Sequence, residues 1–147
     1  MTLSTDINQA REAIYARFVE QWALTDVALR ATPFCFENEA FDPPSGKGWM
    51  RISVVDIERI QISLGGPGQR RFDNHATINI QYFEPPFMGT ATADAHMIAA
   101  KPIFDSQEIG GTTIKTFSAT SRNLGIIEDG RWFAALAQIP IFFEEHS

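Results

Sequence analysis

The stretch IQISLGGPGQRRFDNHATINI, residues 60–80, decides the fold, because it holds two strand-like runs around a glycine-rich tip. On the incoming side Ile60, Ile62 and Leu64 alternate with Gln61 and Ser63; on the outgoing side Ala76, Ile78, Ile80 and Tyr82 alternate with polar residues. A period of two marks strands with one buried face, so the segment reads as a β-hairpin. Its tip, Gly65-Gly66-Pro67-Gly68-Gln69-Arg70-Arg71, is too rich in glycine for a tight two-residue turn. It is expected to project as a flexible loop with two adjacent guanidinium groups, either for contact beyond the domain or as a solvated turn.

Upstream of the hairpin, Met50, Ile52 and Val54 share one parity while Val55 and Ile57 take the other. This predicts a bulge or a change of exposed face in a strand over 49–57, with a second strand starting near Arg59. Before it, Thr32-Pro33 leads to a short strand, Phe34 to Phe36, and then to a long acidic loop carrying Glu37, Glu39 and Asp42 that closes on Pro43-Pro44-Ser45-Gly46-Lys47-Gly48. The chain opens with a helix: Asp6 and Gln9 form a capping-box pattern, and Ile7, Ala10, Ile14, Phe18 and Trp22 recur on one face.

Downstream, Glu84-Pro85-Pro86 stops the outgoing strand, and Thr90 to Lys101 reads as a second helix. Its expected buried face is Ala91, Ala95, Ile98 and Ala99, with Asp94 in the first turns and Pro102 as the stop. The remainder is β in character: Thr112 to Phe117, Ser118 to Ile127, an Asp129-Gly130 turn, and a closing strand from Arg131 to Phe143. That last strand is apolar on both sides, which places it centrally in a sheet covered on both faces or at an interface with another subunit; Pro140 argues for an edge position at that end.

Length and composition point to one domain. A chain of 147 residues with 44% apolar residues, twelve of its side chains Phe, has material for a full core. Cys35 is the only cysteine, which excludes an intrachain disulfide and a multi-cysteine metal cage, fits a reducing compartment, and predicts a free buried thiol. The segment from Thr2 to Arg11 lacks an apolar signal core, and Trp132 to Phe143 is too short to cross a bilayer, so a soluble, unexported chain is expected. The net charge of −6 argues against a surface that holds nucleic acid by phosphate neutralisation.

Catalytic chemistry is not apparent. His75, His96 and His146 have no paired metal-ligand spacing, no nucleophile elbow is present, and Gly65-Gly66-Pro67-Gly68 lacks the Lys-Ser/Thr ending and following helix of a phosphate loop. No catalytic, cofactor or metal residues are assigned. Glu144 and Glu145 beside His146 read as a solvated tail.

The order of these elements is similar to the small tail terminator proteins of siphophages and prophages, the family that includes the minor tail protein U of lambda-like phages. The residues that carry the likeness are Phe36-Glu37-Asn38-Glu39 and the Pro43-Pro44 loop after an amphipathic helix, Trp49-Met50-Arg51-Ile52-Ser53-Val54, the hairpin with Arg70-Arg71-Phe72, the Ala-rich helix before Phe104, and Asp129-Gly130-Arg131-Trp132-Phe133. The resemblance covers nearly the whole chain. It implies an α+β fold with a mixed, mainly antiparallel sheet covered by two helices. It also implies a hexameric ring that caps the tail tube, ends polymerisation of the tube protein and offers a docking surface to head-completion proteins, with DNA only passing through the lumen and no membrane involved. The subunit is then expected in the host cytoplasm during assembly, as a monomer or a ring, and in the virion tail afterwards. Under this reading Arg70, Arg71 and Phe72 make subunit or tube contacts, and Glu37, Glu39 and Asp42 are their acidic counterparts on the neighbouring subunit. Another head-tail joining protein and, in a different class, a small-ligand-binding α+β enzyme with a pocket near Trp49, Phe83, Phe117 or Trp132 are the alternatives.

Overall fold

The computed structural model describes residues 3–147. Its first element is α1 (Ile7–Trp22), whose Asp6 carboxylate accepts from the Gln9 amide at 2.8 Å while the Gln9 side chain accepts from the Asp6 amide at 2.9 Å. Two of the four free donors of the first turn are thereby satisfied. Ala10, Ile14, Phe18 and Trp22 are buried along one stripe, as the spacing predicts.

After a one-turn helix α2 (Val27–Arg30), the chain forms β1 (Phe34–Phe36), β2 (Trp49–Gln61) and β3 (Arg71–Glu84), then α3 (Ala91–Phe104), β4 (Lys115–Thr116), β5 (Thr120–Ile127) and β6 (Trp132–His146). The six strands form one sheet in the order β1-β2-β3-β6-β4, with β5 also on β6. Only β1 and β2 run parallel; the other pairings are antiparallel. The fold is therefore α+β with a mixed, mainly antiparallel sheet.

Strand parity builds two cores. Met50, Ile52 and Val54, then Ala76, Ile78, Ile80 and Tyr82, then Ala135, Ala137, Ile139, Ile141 and Phe143 face α1 and α3. On the opposite face a smaller cluster joins Cys35, Trp49, Phe83, Trp132 and Ala134, with Phe41 of the long loop against Trp49 at 5.1 Å. Cys35 is a free buried thiol. The closing strand is central, flanked by β3 on one side and by β4 and β5 on the other, which accounts for apolar residues on both of its faces.

Several expectations need correction. β2 is one strand, not two: a bulge between Val55 and Glu58, with Asp56 at φ 55°, reverses the parity without ending the pairing to β3. Beyond the bulge the strand overhangs β1, and the reversed parity turns Ile60 to the face away from the helices in one row with Asp73 and Glu144, so Ile60 and Ile62 are exposed and Leu64 is 93% exposed instead of half-buried. Pro102 lies inside α3, where burial of Ile103 and Phe104 offsets the lost backbone bond. The buried face of α3 is Ala93, His96, Met97, Ala100, Ile103 and Phe104, while Ile98 is exposed. Pro140 is not at an edge; its carbonyl accepts from the Phe117 amide, so its missing N–H faces the gap between β4 and β5. The strand expected over Thr112 to Phe117 shrinks to two residues.

One polar cluster sits inside the main core. His96 stacks on Tyr82 at 4.0 Å and on Trp22 at 6.0 Å; its Nδ1–H donates to the Thr92 carbonyl at 2.8 Å, and its Nε2 accepts from the Thr32 hydroxyl at 2.7 Å. Burial holds the imidazole pKa below its ordinary value, partly countered by the Thr92 bond. The Tyr82 hydroxyl donates to Glu84 at 3.3 Å, and Gly48 passes so close to that hydroxyl that a side chain there would meet the Tyr82 ring. Glu84 is buried, and among the described residues its second carboxylate oxygen has no partner. Burial pushes its pKa up, the Tyr82 bond opposes this, and the Asp94 charge adds to the rise.

Two outcomes follow from this architecture. Asp6→Ala removes the cap and is expected to cost ~1 kcal/mol, read as a fall of roughly 2–4 °C in Tm for a chain of this size. A carboxyl whose folded pKa is raised favours the fold when protonated, and that contribution fades as pH rises from the unfolded value through the folded one. Glu84→Gln is therefore expected to raise Tm at pH 7, with the gain shrinking as thermal unfolding is repeated toward pH 4.

Candidate functional site

The hairpin end of the sheet is built from the overhanging half of β2, the start of β3 and the end of β6. The tip residues Gly65 to Gln69 are exposed, but the two arginines that follow turn back onto their own chain. Arg70 exchanges backbone bonds with Ser147 at 3.3 and 2.9 Å, and its Nε donates to the Ser147 carbonyl at 3.1 Å. Arg71 reaches Asp73 at 3.1 Å and Glu144 at 3.1 Å, and its amide donates to the Ser63 hydroxyl at 2.9 Å. Phe72 is buried beneath the Arg59 guanidinium, which lies 3.5 Å from the ring centroid and is held by both oxygens of Glu145 at 3.0 and 3.1 Å.

The C-terminal residues are thus part of a clamp, which corrects the solvated-tail expectation for Glu144 and Glu145. His146 donates its amide to the Ser4 hydroxyl at 2.9 Å, and the Thr5 amide donates to the Glu144 carbonyl at 2.9 Å, so both ends of the described chain tie into the hairpin base. Arg59 and Arg71 are paired with carboxylates, and the exposed surface of the overhang includes the aliphatic side chains of Ile57, Ile60, Ile62 and Leu64. Arg59, Glu145 and Ser147 have no local sequence signal for this role, because their pairing crosses 77 to 86 residues of chain.

The acidic segment lies at the far end of β2. Glu37 donates its amide to the Ile52 carbonyl, some nine residues of strand from Gln61, or roughly 30 Å at about 3.3 Å per residue. Within one subunit the arginines and the acidic residues are therefore apart. The Glu37 carboxylate accepts from Tyr15 at 3.5 Å and from the Val54 amide at 3.4 Å and lies 3.7 Å from Arg11. Burial raises the Tyr15 pKa first, and Glu37 adds to the rise. The Glu39 carboxylate folds back to accept from the Phe36 amide at 2.9 Å. Asp42 is exposed and lines a cleft of about 380 Å³ with Pro43, Pro44, Pro85, Arg131 and Trp132.

Catalytic geometry is not found at either end. Among the described residues no three His, Cys, Asp or Glu side chains gather as a metal site would require, and no helix is long and apolar enough to cross a membrane. Trp49, Phe83 and Trp132 pack against one another and Phe117 lies apart, so these aromatics do not line a common pocket.

The sequence profile of the phage tail terminator protein family matches residues 9–141. No curated protein matches the chain. A solved structure with 16% sequence identity superposes at a TM-score of 0.63, covering 90% of this chain and 94% of that one, a likeness of fold. With the family matched over all but the ends of the sequence, the chain belongs to the phage tail terminator proteins, structural components of the virion tail and not an enzyme family.

Proposed function

We propose that this subunit caps the tail tube as a ring, most simply a hexamer, that ends tube polymerisation and then offers its outer surface to a head-completion protein. The observation that carries this reading is the overhanging hairpin: a sheet end that exposes Ile60, Ile62 and Leu64 beyond the bulge while the C-terminal clamp fixes its direction. Exposed aliphatics on a rigid projection suit a preformed docking element, since little conformational freedom is lost on binding. In this role Arg70 and Arg71 brace the tip and Phe72 anchors it, and the tip meets the major tail tube protein. Glu37, Glu39 and Asp42, at the opposite end of β2, meet a neighbouring subunit. Distinct patches at separate places on one chain are what a head-to-tail ring requires. DNA passes through the lumen without being held, and the subunit remains unassembled in the host cytoplasm until it reaches a growing tube end.

The test is polymerisation of the cognate tube protein with and without this chain, followed by negative-stain microscopy of tube lengths and ends. Shorter tubes with a terminal ring are expected; tubes that grow alike in both samples would refute the proposal. Leu64→Lys is expected to leave the unfolding free energy within about 0.5 kcal/mol of wild type, because the site is solvent-exposed. It should weaken capping at least about tenfold, as burying one leucine is worth ~1.5–3 kcal/mol and ~1.4 kcal/mol is a factor of ten.

A further inference from the structure

One row of register partners crosses the sheet from edge to edge: Cys35 with Arg51, Arg51 with Gln81, Gln81 with Leu136, and Leu136 with Arg122. Among the described residues its two ends, β1 and β5, have no further strand beside them. They also differ in charge. Arg122 is the only charged residue of β5, it is exposed, and among the described residues it has no ion-pair partner. At the other end β1 runs directly into Glu37, Glu39 and Asp42.

We infer that β5 of one copy pairs with β1 of the next, and that Arg122 is the basic partner of the acidic segment, with Glu39 its principal contact. This inference rests on the ring proposed above. Three observations support it. First, copies related by rotation alone meet at the same level of the sheet, and the row puts Arg122 level with Cys35, one residue from Phe36. The Glu39 carboxylate sits on the Phe36 amide, so the two charges arrive at nearly the same height. Second, β1 runs with β2 and β6 while β3 and β5 run against them, so β5 meets the next β1 antiparallel.

Third, the β1 edge is blunted in the isolated subunit. The outward Phe36 N–H is plugged by the Glu39 carboxylate, the kind of side-chain cover that keeps an edge strand from pairing indiscriminately. An arriving β5 takes over that N–H, and the released carboxylate passes to Arg122. Other charges face the junction without cancelling it. Arg11 is engaged with Glu37, and Arg51 lies 5.2 Å from the centroid of the Trp49 ring; Asp94 and Lys101 share a groove with Arg122 beyond ion-pair distance. Arg70 and Arg71, near the opposite end of β2 and already clamped, lie away from this seam.

Charge exchange tests the pairing with terminal rings on tube ends as the readout and monomer Tm as the folding control. Arg122→Glu and Glu39→Arg, each alone, are expected to raise the concentration for half-maximal capping at least about tenfold, because the like-charge contact recurs at every junction of a ring. The double variant in one chain, and an equal mixture of the two single variants, should both regain capping. As a charge-independent measurement, Ala119→Cys and Asn38→Cys, which this register brings level, placed in one chain should give a ladder of disulfide-linked oligomers on tube ends. Wild-type rings together with unaffected single variants, or a double variant as poor as either single one and no ladder, overturn the inference while the ring reading stands. Wild type that never forms rings overturns both.

Discussion

The long antiparallel ladder between β3 and β6, which runs from Arg71 with His146 to Glu84 with Phe133, is the constraint on which the rest of the subunit depends. Its register sets the parity of both strands at once. Ile78 and Ile80 face the helices together with Ile139 and Ala137, and Phe83 faces Ala134 on the other side. A shift of one residue would turn the isoleucines to solvent and bring Asn79 and Gln138, 3.3 Å apart on the open face, into the core. The ladder also carries the hairpin's position. Because β6 continues to His146, Glu144 and Glu145 arrive beside Arg71 and Arg59, and the overhang of β2 is braced by the same strand that forms the centre of the sheet.

The elements legible in the sequence are those whose signal is local. The α1 stripe, the cap at Asp6, the hairpin around Gly65 to Gly68 and the Asp129-Gly130 turn each depend on residues a few positions apart, and all appear where the spacing puts them. What was not legible depends on distant chain. His96 carries a polar ring, yet Thr32 and Thr92 satisfy both of its nitrogens, so the buried face of α3 turns toward it and away from Ala91 and Ile98. Pro140 reads as an edge residue until the gap between β4 and β5 is seen to lie opposite its missing donor. The reversal of parity at Val55 reads equally as a bulge or a new strand, and only the continued pairing of Glu58 with His75 distinguishes them. At the contact surfaces, the hairpin and acidic loop were visible as unusual composition, but the partners of their charges were not.

That last point changes the physical sense of the arginines. Two adjacent guanidinium groups on a glycine-rich tip look like an electrostatic probe, but Arg71 is shared between Asp73 and Glu144, and Arg59 lies over Phe72 under the hold of Glu145. Ion pairs this exposed contribute little to stability individually. Their effect here is geometric: planar guanidinium groups with several fixed donors join three strand ends at the base of a loop that would otherwise swing. The exposed aliphatic side chains Ile60, Ile62 and Leu64 then offer apolar area whose direction those pairs hold.

A subunit with open sheet edges must avoid pairing before its time, and each edge of this sheet carries a device against it. On β1 the Glu39 carboxylate occupies an outward N–H; on β2 the bulge at Asp56 twists the overhang; on β5 the bulge at Gly125, with φ 79°, interrupts the run. Such covers are weak individually, so a partner that supplies several contacts at once can displace them while a stray strand cannot. On the proposed reading the tube end is that partner: it holds subunits side by side, raises the local concentration of each edge for the next, and makes exchange of Glu39 from Phe36 to Arg122 favourable only where a ring can close. The acidic segment is then a guard on the free subunit and a seam in the assembled one, and the same carboxylate serves in both states.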